Sequence, residues 1–429
     1  MRVFARVSAL AALVLSAWTS APATADTAAT PFDAGHRYVV VTFANDPYRP
    51  TSRAGSTGRR YTGGTYGVAQ GAHNNAQRIA SIYSLKEVAS WPIKELGVHC
   101  VVYEIPDVRS VTEVLATLTK DPRITLAQPL QQFHTLTSTP AQGAKTTYND
   151  PMYGLQTNLV SLDIAAAHER SQGAGVEVGL IDTGVDSRHP DLHDRISGSR
   201  SFVSARSSTA ATPGFYRHGT AMAGLIAAVA NNNVGIVGIA PLARIRVFEA
   251  CWQLGPNTDA AACNTFTLAQ ALAAALEARI PLINMSIAGP ADPLLSALVR
   301  SGLKRGVIFV GSTTDEADSF PTNIDGVIGV ANSDGNHASA TLAAPATHVL
   351  TLRPNAEYDF ESGTSVAAAE MTGVVALLLG ANSRLTSDTI VALLRSTPGP
   401  ATQPGEIDVG AAVAKVEAER VGRLARSVH

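Results

Sequence analysis

From residue 176 onward, short apolar runs alternate with longer stretches whose apolar residues recur at helical spacing. The runs rich in Val, Ile and Leu predict strands buried on both faces, and the stretches between them predict helices. This alternation predicts an α/β fold with a parallel sheet covered by helices on both faces, whose functional residues lie at the carboxyl ends of the strands. The predicted strands are 176–181, 244–248, 282–285, 307–310 and 327–330, and the predicted helices are 219–229, 268–278, 294–303 and 365–379.

The earlier part of the chain predicts a smaller unit of a different kind. Ser110 and Glu113 form a capping-box pattern at the start of one of its helices. Its elements follow the order β-α-β-β-α-β, which is typical of a small ferredoxin-like α+β domain. The predicted strands are 38–43, 85–93, 98–105 and 124–130, and the predicted helices are 75–83 and 110–118.

Charge and the first residues indicate where the protein works. The 33 Lys and Arg residues nearly balance the 35 Asp and Glu residues, which argues against a nucleic-acid partner. Arg2 and Arg6 precede an apolar run at 7–17, and a small-residue Ala-Thr-Ala site follows at 23–25. This pattern predicts a secretory signal peptide, and no later run is interpreted as a membrane helix. We therefore expect an exported protein without stable membrane insertion.

Three cysteines are compatible with export only if they pair sensibly. Cys251 and Cys263 lie close together in the sequence, and Cys100 stands alone in the smaller unit. We expect a disulfide between Cys251 and Cys263, with Cys100 removed during maturation. Metal binding by the pair is a weaker alternative, because the spacing is not that of a zinc motif.

Three residues with complementary chemistry stand where predicted strands end or helices begin. Asp182 follows the first strand of the large unit, His218 precedes its first helix, and Ser365 opens its last helix. A nucleophilic hydroxyl needs a base within hydrogen-bond reach, and that base needs a carboxylate that fixes its tautomer. A turn aspartate, a core histidine and a helix-capping serine are the simpler interpretations of each residue alone. Together the three predict a catalytic triad, with helix N–H groups at Ser365 directed at the oxyanion.

The residues around these positions resemble the subtilases, the subtilisin-like serine peptidases. The triplets Asp-Thr-Gly, His-Gly-Thr and Gly-Thr-Ser match the three signature blocks of that family in the same order, over about residues 149–415. The resemblance implies that Asp182 orients the base, that His218 acts as general base and then acid, and that Ser365 is the nucleophile. An esterase of the α/β-hydrolase fold is excluded because its triad follows a different order.

The resemblance also implies a precursor with five parts. Residues 1–25 would be the signal peptide and 26–136 an inhibitory propeptide, followed by a linker at 137–148. Residues 149–415 would form the catalytic domain, and the charged tail at 416–429 predicts a solvated helix.

A further segment resembles the strand that lines the specificity pocket of subtilases. It consists of Ser286, Ile287, Ala288 and Gly289, and it would bind an extended peptide through backbone hydrogen bonds. Two glycines are usual at positions 288 and 289, so Ala288 is expected to crowd the pocket.

Asp315 is the main departure from the family pattern. The family places there an Asn whose amide donates a hydrogen bond to the oxyanion, whereas an ionised carboxylate can only accept. Loss of such a donor costs about 10²–10³ in kcat in subtilisin. Three explanations stay open: Asp315 is protonated, the hydroxyls at 312–314 donate instead, or the alignment is shifted. Ala369 and Glu370 also replace the usual Pro and His.

The sequence therefore predicts an exported serine endopeptidase that hydrolyses peptide bonds through an acyl-enzyme. Its partners would be protein or peptide substrates and its own propeptide, and no cofactor is expected to be required. No metal site is assigned, although the resemblance allows a structural calcium ion. The alternative is a catalytically weak or silent subtilase that binds peptides in the same cleft, which Asp315 favours.

Overall fold

The structure is a computed structural model, and it describes residues 37–45, 68–134, 148–203, 216–255, 258–316, 318–334, 342–399 and 407–427. The predicted signal peptide and nearly all of the predicted linker lie outside the described residues. The strands are β1 (Tyr38–Ala44), β2 (Lys86–Ile93), β3 (Val98–Glu104), β4 (Leu126–Pro129), β5 (Gln132–His134), β6 (Glu177–Asp182), β7 (Ile196–Ser201), β8 (Arg244–Glu249), β9 (Cys251–Gln253), β10 (Ala261–Asn264), β11 (Leu282–Met285), β12 (Ile308–Ser312), β13 (Ile328–Asn332), β14 (Leu342–Ala344), β15 (Val349–Arg353) and β16 (Glu357–Glu361). The helices are α1 (Gln70–Ile82), α2 (Val111–Leu118), α3 (Thr157–Ser161), α4 (Ile164–His168), α5 (Arg217–Ala227), α6 (Thr265–Glu277), α7 (Pro293–Lys304), α8 (Thr364–Ala381), α9 (Ser387–Arg395) and α10 (Val409–Ser427).

A seven-stranded sheet forms the centre of the large domain. Its order is β14-β13-β12-β11-β6-β8-β7, and every neighbouring pair is parallel. Strands β6, β11 and β12 are mostly apolar and almost completely buried, which is the property that predicted a parallel sheet. The predicted fold class is confirmed.

Two apolar layers cover this sheet. On one face, side chains of α5, α8 and α10 pack against alternate strand residues such as Leu180 and Val310. On the other face, α6 and α7 pack against the intervening residues, among them Ile181 and Phe309. Alternation of side chains along each strand therefore divides the core into these two layers.

The small domain is a four-stranded antiparallel sheet with two helices. The order β2-β3-β1-β4 and the connections through α1 and α2 are those of the ferredoxin-like arrangement. Ser110 and Glu113 form the predicted capping box. One sheet face packs on α1 and α2, and the other face packs on the α6 and α7 side of the large domain through residues that include Val40 and Val102.

The chain leaving the small domain continues along the large domain. Strand β5 pairs antiparallel with β10, which in turn pairs with β9. Before it, Gln131 exchanges hydrogen bonds with Thr265 at the start of α6, and Leu294 of α7 donates to Gln128 at 3.0 Å. The exit from the small domain is thus fixed to the first turns of two helices.

Two helices differ from the expectation for their segment. Helix α10 runs without interruption across the predicted boundary at residue 415, and Val413 and Val416 are buried. Helix α8, Thr364–Ala381, has the length and hydropathy of a membrane span, contrary to the expectation that no later run would. Because 83% of that helix is buried inside the protein, its apolar composition is explained by its position in the core.

Candidate active site

The predicted site residues meet at the carboxyl edge of the parallel sheet. Asp182 is the last residue of β6, and Ser286 follows β11, the strand beside it. Neighbouring parallel strands end at the same edge, so these two residues are neighbours. Both are fully buried, and Thr183 donates its backbone N–H to Asp182 Oδ1 at 2.6 Å.

His218 lies at the start of α5, directly against Asp182. Its Nδ1 is 2.7 and 2.9 Å from the two carboxylate oxygens, and the ring is completely buried. The backbones approach closely here, because a Cβ on Gly219 would lie 2.5 Å from the carbonyl oxygen of Gly184. The His-Gly and Asp-Thr-Gly segments therefore fit together only with glycine at position 219.

The electrostatics of His218 favour a strong base. Burial would lower the pKa of the imidazole, but the charge and hydrogen bond of Asp182 outweigh burial and raise it, with smaller contributions from Glu361 and Asp259. Within the described part of the chain, His218 Nε2 is buried and has no hydrogen-bond partner. An imidazole held at Nδ1 by a carboxylate and open at Nε2 has the geometry of a general base.

Ser365 is the second residue of α8 and is joined to the end of β11. Its Oγ donates to Ser286 O at 3.0 Å, and Ser286 Oγ donates to Ser365 O at 2.9 Å. Gly363, which precedes the helix, has φ 129°, a value that L side chains rarely adopt. The sharp entry into the helix brings Ser365 to the edge that also carries Asp182 and His218.

Asp315 lies at the same edge, in the exposed loop after β12. The hydroxyls of the three preceding residues are engaged, because each donates to a backbone carbonyl. The first turn of α8 carries another hydroxyl, since Thr364 Oγ1 is buried and has no partner among the described residues. Thr364 was not predicted as a site residue, although it directly precedes Ser365.

The proposed substrate-binding segment is largely buried. Ser312 Oγ donates to Ile287 O, and Gly289 exchanges two backbone hydrogen bonds with Phe320. Ala288 is 6% exposed. Several backbone groups of this segment are thus engaged within the protein, and its role toward substrate stays a prediction.

A buried cluster of charged residues adjoins the site and was not anticipated from the sequence. Arg353, at the end of β15, forms ion pairs with Asp259, Asp359 and Glu361. Arg217, directly before His218, pairs with Asp259 at 2.8 Å. Arg217 and Asp259 lie far in sequence from the β15–β16 pair that carries the other three residues, so no local motif indicates the cluster.

Glu370 occupies a fully buried position in α8, one turn beyond Ser365. Asn158 Nδ2 donates to Glu370 Oε1 at 2.6 Å, and burial raises the pKa of the Glu370 carboxyl well above its ordinary value. Glu370 Oε2 and Asn158 Oδ1 lack other partners among the described residues. The substitution is accommodated by the hydrogen bond from Asn158, and burial favours the neutral form of the Glu370 carboxyl.

The predicted disulfide is present in the structure, whereas the predictions about cofactors and calcium are not tested by it. Cys251 and Cys263 form the predicted disulfide between β9 and β10, and Cys100 is a buried free thiol in β3. In the described ranges, no group of three or more His, Cys, Asp or Glu side chains could hold a metal ion. The expectation that no cofactor is required, and that of a structural calcium ion, stay predictions.

Comparison with known proteins identifies the family. The Subtilase family model matches residues 173–410. Thermitase from Thermoactinomyces vulgaris is 30% identical over 246 residues, which are 54% of this chain and 85% of thermitase. The major intracellular serine protease of Bacillus subtilis (strain 168) is 31% identical over 226 residues, covering 48% of this chain and 69% of that protein.

A solved structure supports the fold independently. Fervidolysin from Fervidobacterium pennivorans, described as a keratinolytic enzyme related to subtilisin, superposes with a TM-score of 0.68 at 19% identity. The match covers 88% of this chain and 61% of the fervidolysin chain. With a family match over more than half of its length and this fold, the chain belongs to the subtilase family, the subtilisin-like serine endopeptidases.

Proposed function

We propose that the protein is an exported endopeptidase that cleaves peptide bonds with Asp182, His218 and Ser365. One observation carries the proposal. Asp182 holds His218 at Nδ1, and His218 Nε2 has no hydrogen-bond partner among the described residues, at the sheet edge where α8 presents Ser365. Export is supported by the signal-like start and by the disulfide, which persists in oxidising compartments.

The chemistry follows from the roles of the three side chains. Ser365 Oγ leaves its contact with Ser286 O, gives its proton to His218 Nε2 and attacks the substrate carbonyl. The imidazolium, stabilised by Asp182, then protonates the leaving amine, and an acyl-enzyme remains. Water activated by the same nitrogen releases the acid and restores Ser365.

Charge on the tetrahedral intermediate needs hydrogen-bond donors. The first turn of an α-helix has N–H groups without partners inside the helix, and Ser365 lies in that turn of α8. Thr364 Oγ1, in the same turn of α8 and without a partner among the described residues, is a further hydroxyl donor. We propose these groups as the oxyanion site, with Asp315 weakening it at the place where the family carries an amide.

We further propose that the small domain is a propeptide that inhibits its own catalytic domain. Its exit strand β5 pairs with β10, and its sheet covers α6 and α7. A chain fixed in this way can lie along the cleft until it is cut. Cleavage is expected between Phe133 and Thr147, which removes Cys100 and leaves an even number of cysteines.

A second candidate function is peptide binding without turnover. It is favoured by Asp315 and by the engagement of the neighbouring hydroxyls with backbone carbonyls. Residual catalysis survives damage to the oxyanion site in serine peptidases as long as the triad is intact, so hydrolysis remains the first proposal.

Fluorophosphonate labelling tests the proposal directly. The full-length protein should react with the probe at Ser365, located by peptide mass spectrometry, and should release a mature chain that begins shortly before Tyr148. Ser365→Ala should abolish labelling and processing while the fold is retained, because only a hydroxyl is removed. Ser362→Ala, three residues earlier, should retain both. Absence of labelling in the folded protein would support the binding function, and processing of Ser365→Ala without added protease would refute the assignment.

A further inference from the structure

A cluster of charged residues connects the loop between Cys251 and Cys263 to the paired strands β15 and β16, which precede Ser365. The Arg353 side chain is 4% exposed, and its Nη1 lies 2.5 Å from Asp259 Oδ1. The same nitrogen contacts Glu361, whose side chain is 3% exposed. Asp359 is a more distant partner at 3.5 Å and is 52% exposed. Burial of a charged residue is costly without partners, so these contacts hold Arg353 and Glu361 together.

The cluster is joined to both catalytic segments. Asp259 also accepts from Arg217 Nε at 2.8 Å, and Arg217 is the residue before His218. Glu361 ends β16, four residues before Ser365. Strand β15 packs on the helix of His218, where Thr351 Oγ1 donates to Ala221 O at 2.6 Å. Neither Arg353 nor its acidic partners has a role in the proposed mechanism.

We propose that Glu361 and Asp259, held in place by Arg353, are positioning residues whose negative charge supplements that of Asp182 in stabilising the imidazolium form of His218. This inference rests on the proposed function, because it assigns a purpose to the cluster only if His218 is the catalytic base. A fixed buried charge acts strongly since little water screens it.

The charges around His218 determine the sign of the effect. Asp182 contacts it from β6, while Glu361 of β16 and Asp259 of the loop before β10 belong to the adjoining cluster, where Arg353 and Arg217 partly neutralise them. Burial lowers the pKa of His218, but the charge and hydrogen bond of Asp182 outweigh burial and raise it, and Glu361 and Asp259 act in the same direction. Burial raises the pKa of Glu361 and the charge of Asp259 adds to that shift, whereas Arg353 and His218 oppose it and favour the ionised form.

Titration of His218 by NMR tests the proposal without depending on activity. In full-length Ser365→Ala protein labelled with ¹⁵N-histidine, Glu361→Gln should lower the pKa of His218 by about half a pH unit or more, as expected on removing a nearby opposite charge. Asp259→Asn should lower it in the same direction. Glu361→Asp retains the charge and should restore most of the wild-type value. In protein with Ser365 intact, the acid limb of the fluorophosphonate labelling rate should move to lower pH in parallel.

Asp359→Asn is the matched control. This variant removes another carboxylate of β16 that pairs with Arg353, but Asp359 is half exposed, so water screens its charge. The pKa of His218 should be unchanged in this variant. If Glu361→Gln does not fold, Asp259→Asn decides. An unchanged His218 pKa in the folded variants would overturn the inference, whereas a protein that never reacts with the probe but shows the shift would contradict only the proposed function.

Discussion

Three consecutive hydroxyl-bearing residues, Ser312, Thr313 and Thr314, lie at the end of β12 and each donate to a backbone carbonyl. Their acceptors are the carbonyls of Ile287, Val330 and Glu316. One of the explanations for Asp315, donation from residues 312–314, therefore finds no support in the structure. Asp315 itself follows in the exposed loop at the sheet edge. At this position, the identity of one atom, an amide nitrogen or a carboxylate oxygen, determines whether the side chain stabilises or opposes an oxyanion.

Asp315→Asn is expected to raise kcat, by up to about 10²-fold, because it supplies a donor where the wild-type side chain supplies an acceptor. KM should change little, since the added hydrogen bond forms mainly in the transition state. Steady-state kinetics on a peptide substrate would measure both constants. Glu316→Gln, which neutralises the adjacent carboxylate, should leave kcat unchanged. A kcat no higher than wild type in Asp315→Asn would indicate that residue 315 is remote from the oxyanion.

The three proposed catalytic residues could be selected from the sequence because each lies within a short local pattern. The Arg353 cluster could not, because its carboxylates are contributed by β16 and by the loop before β10. Glu370 was noticed only as a departure from the family pattern. Its pairing with Asn158 depends on a contact between residues 212 positions apart. Buried polar partners chosen by tertiary packing leave no periodic signal in the chain.

At the scale of elements, the apolar strands at the centre of the large sheet were predictable, whereas the polar edge strand β7 and the short apolar strands β14 and β15 were not predicted. Strand β7, Ile196–Ser201, lies at the edge of the large sheet and consists mostly of serine, glycine and arginine, so it shows no strand pattern. Helix α1 begins at Gln70, five residues before the predicted start, because small residues such as Ala72 supply its buried face. Hydrophobic periodicity identifies elements whose burial depends on large side chains.

The disulfide between β9 and β10 stabilises an element that has little core of its own. Replacing both Cys251 and Cys263 by serine should lower the free energy of unfolding by about 3 kcal/mol on the chain-entropy model, given the 12-residue separation. Urea denaturation of Ser365→Ala protein, which avoids self-digestion, would measure this change. Cys100→Ala should retain the disulfide, as checked by mass spectrometry of unreduced peptides. Two free thiols at 251 and 263 in the exported wild-type protein would contradict the prediction.

At the scale of the whole molecule, the interface between the two domains combines apolar, aromatic and ionic contacts. Trp91 meets Phe266 edge-on with ring centres 4.7 Å apart, and Glu95 pairs with Arg305 at 2.7 Å. The apolar residues of the small-domain sheet share one core layer with α6 and α7. The small domain, proposed above as the propeptide, remains bound only while its own fold persists, because the contacts come from strands that must stay in register.

The small domain contains a buried histidine, His99 of β3, which is 2% exposed. Burial lowers the pKa of His99 and the charge of His73 adds to that shift, whereas the charge of Glu87 and a backbone hydrogen bond at Trp91 oppose it. By strand alternation His99 lies on the face of the sheet that packs on the two helices of the small domain. Protonation would place a charge in that apolar core.

Acidification is therefore expected to destabilise the small domain. Because the folded-state pKa of His99 is below the unfolded value of about 6.5, the unfolded state binds the proton more tightly, and the stability contributed by neutral His99 is lost as pH falls below that value. In full-length Ser365→Ala protein, hydrogen exchange corrected for intrinsic rates should show weaker protection of α1 and β3 at acidic pH than at neutral pH. His99→Leu, which keeps an apolar side chain there, should abolish this difference, whereas His73→Leu on the surface of α1 should retain it. If wild type and His99→Leu lose protection equally, the acid sensitivity of the small domain has another origin.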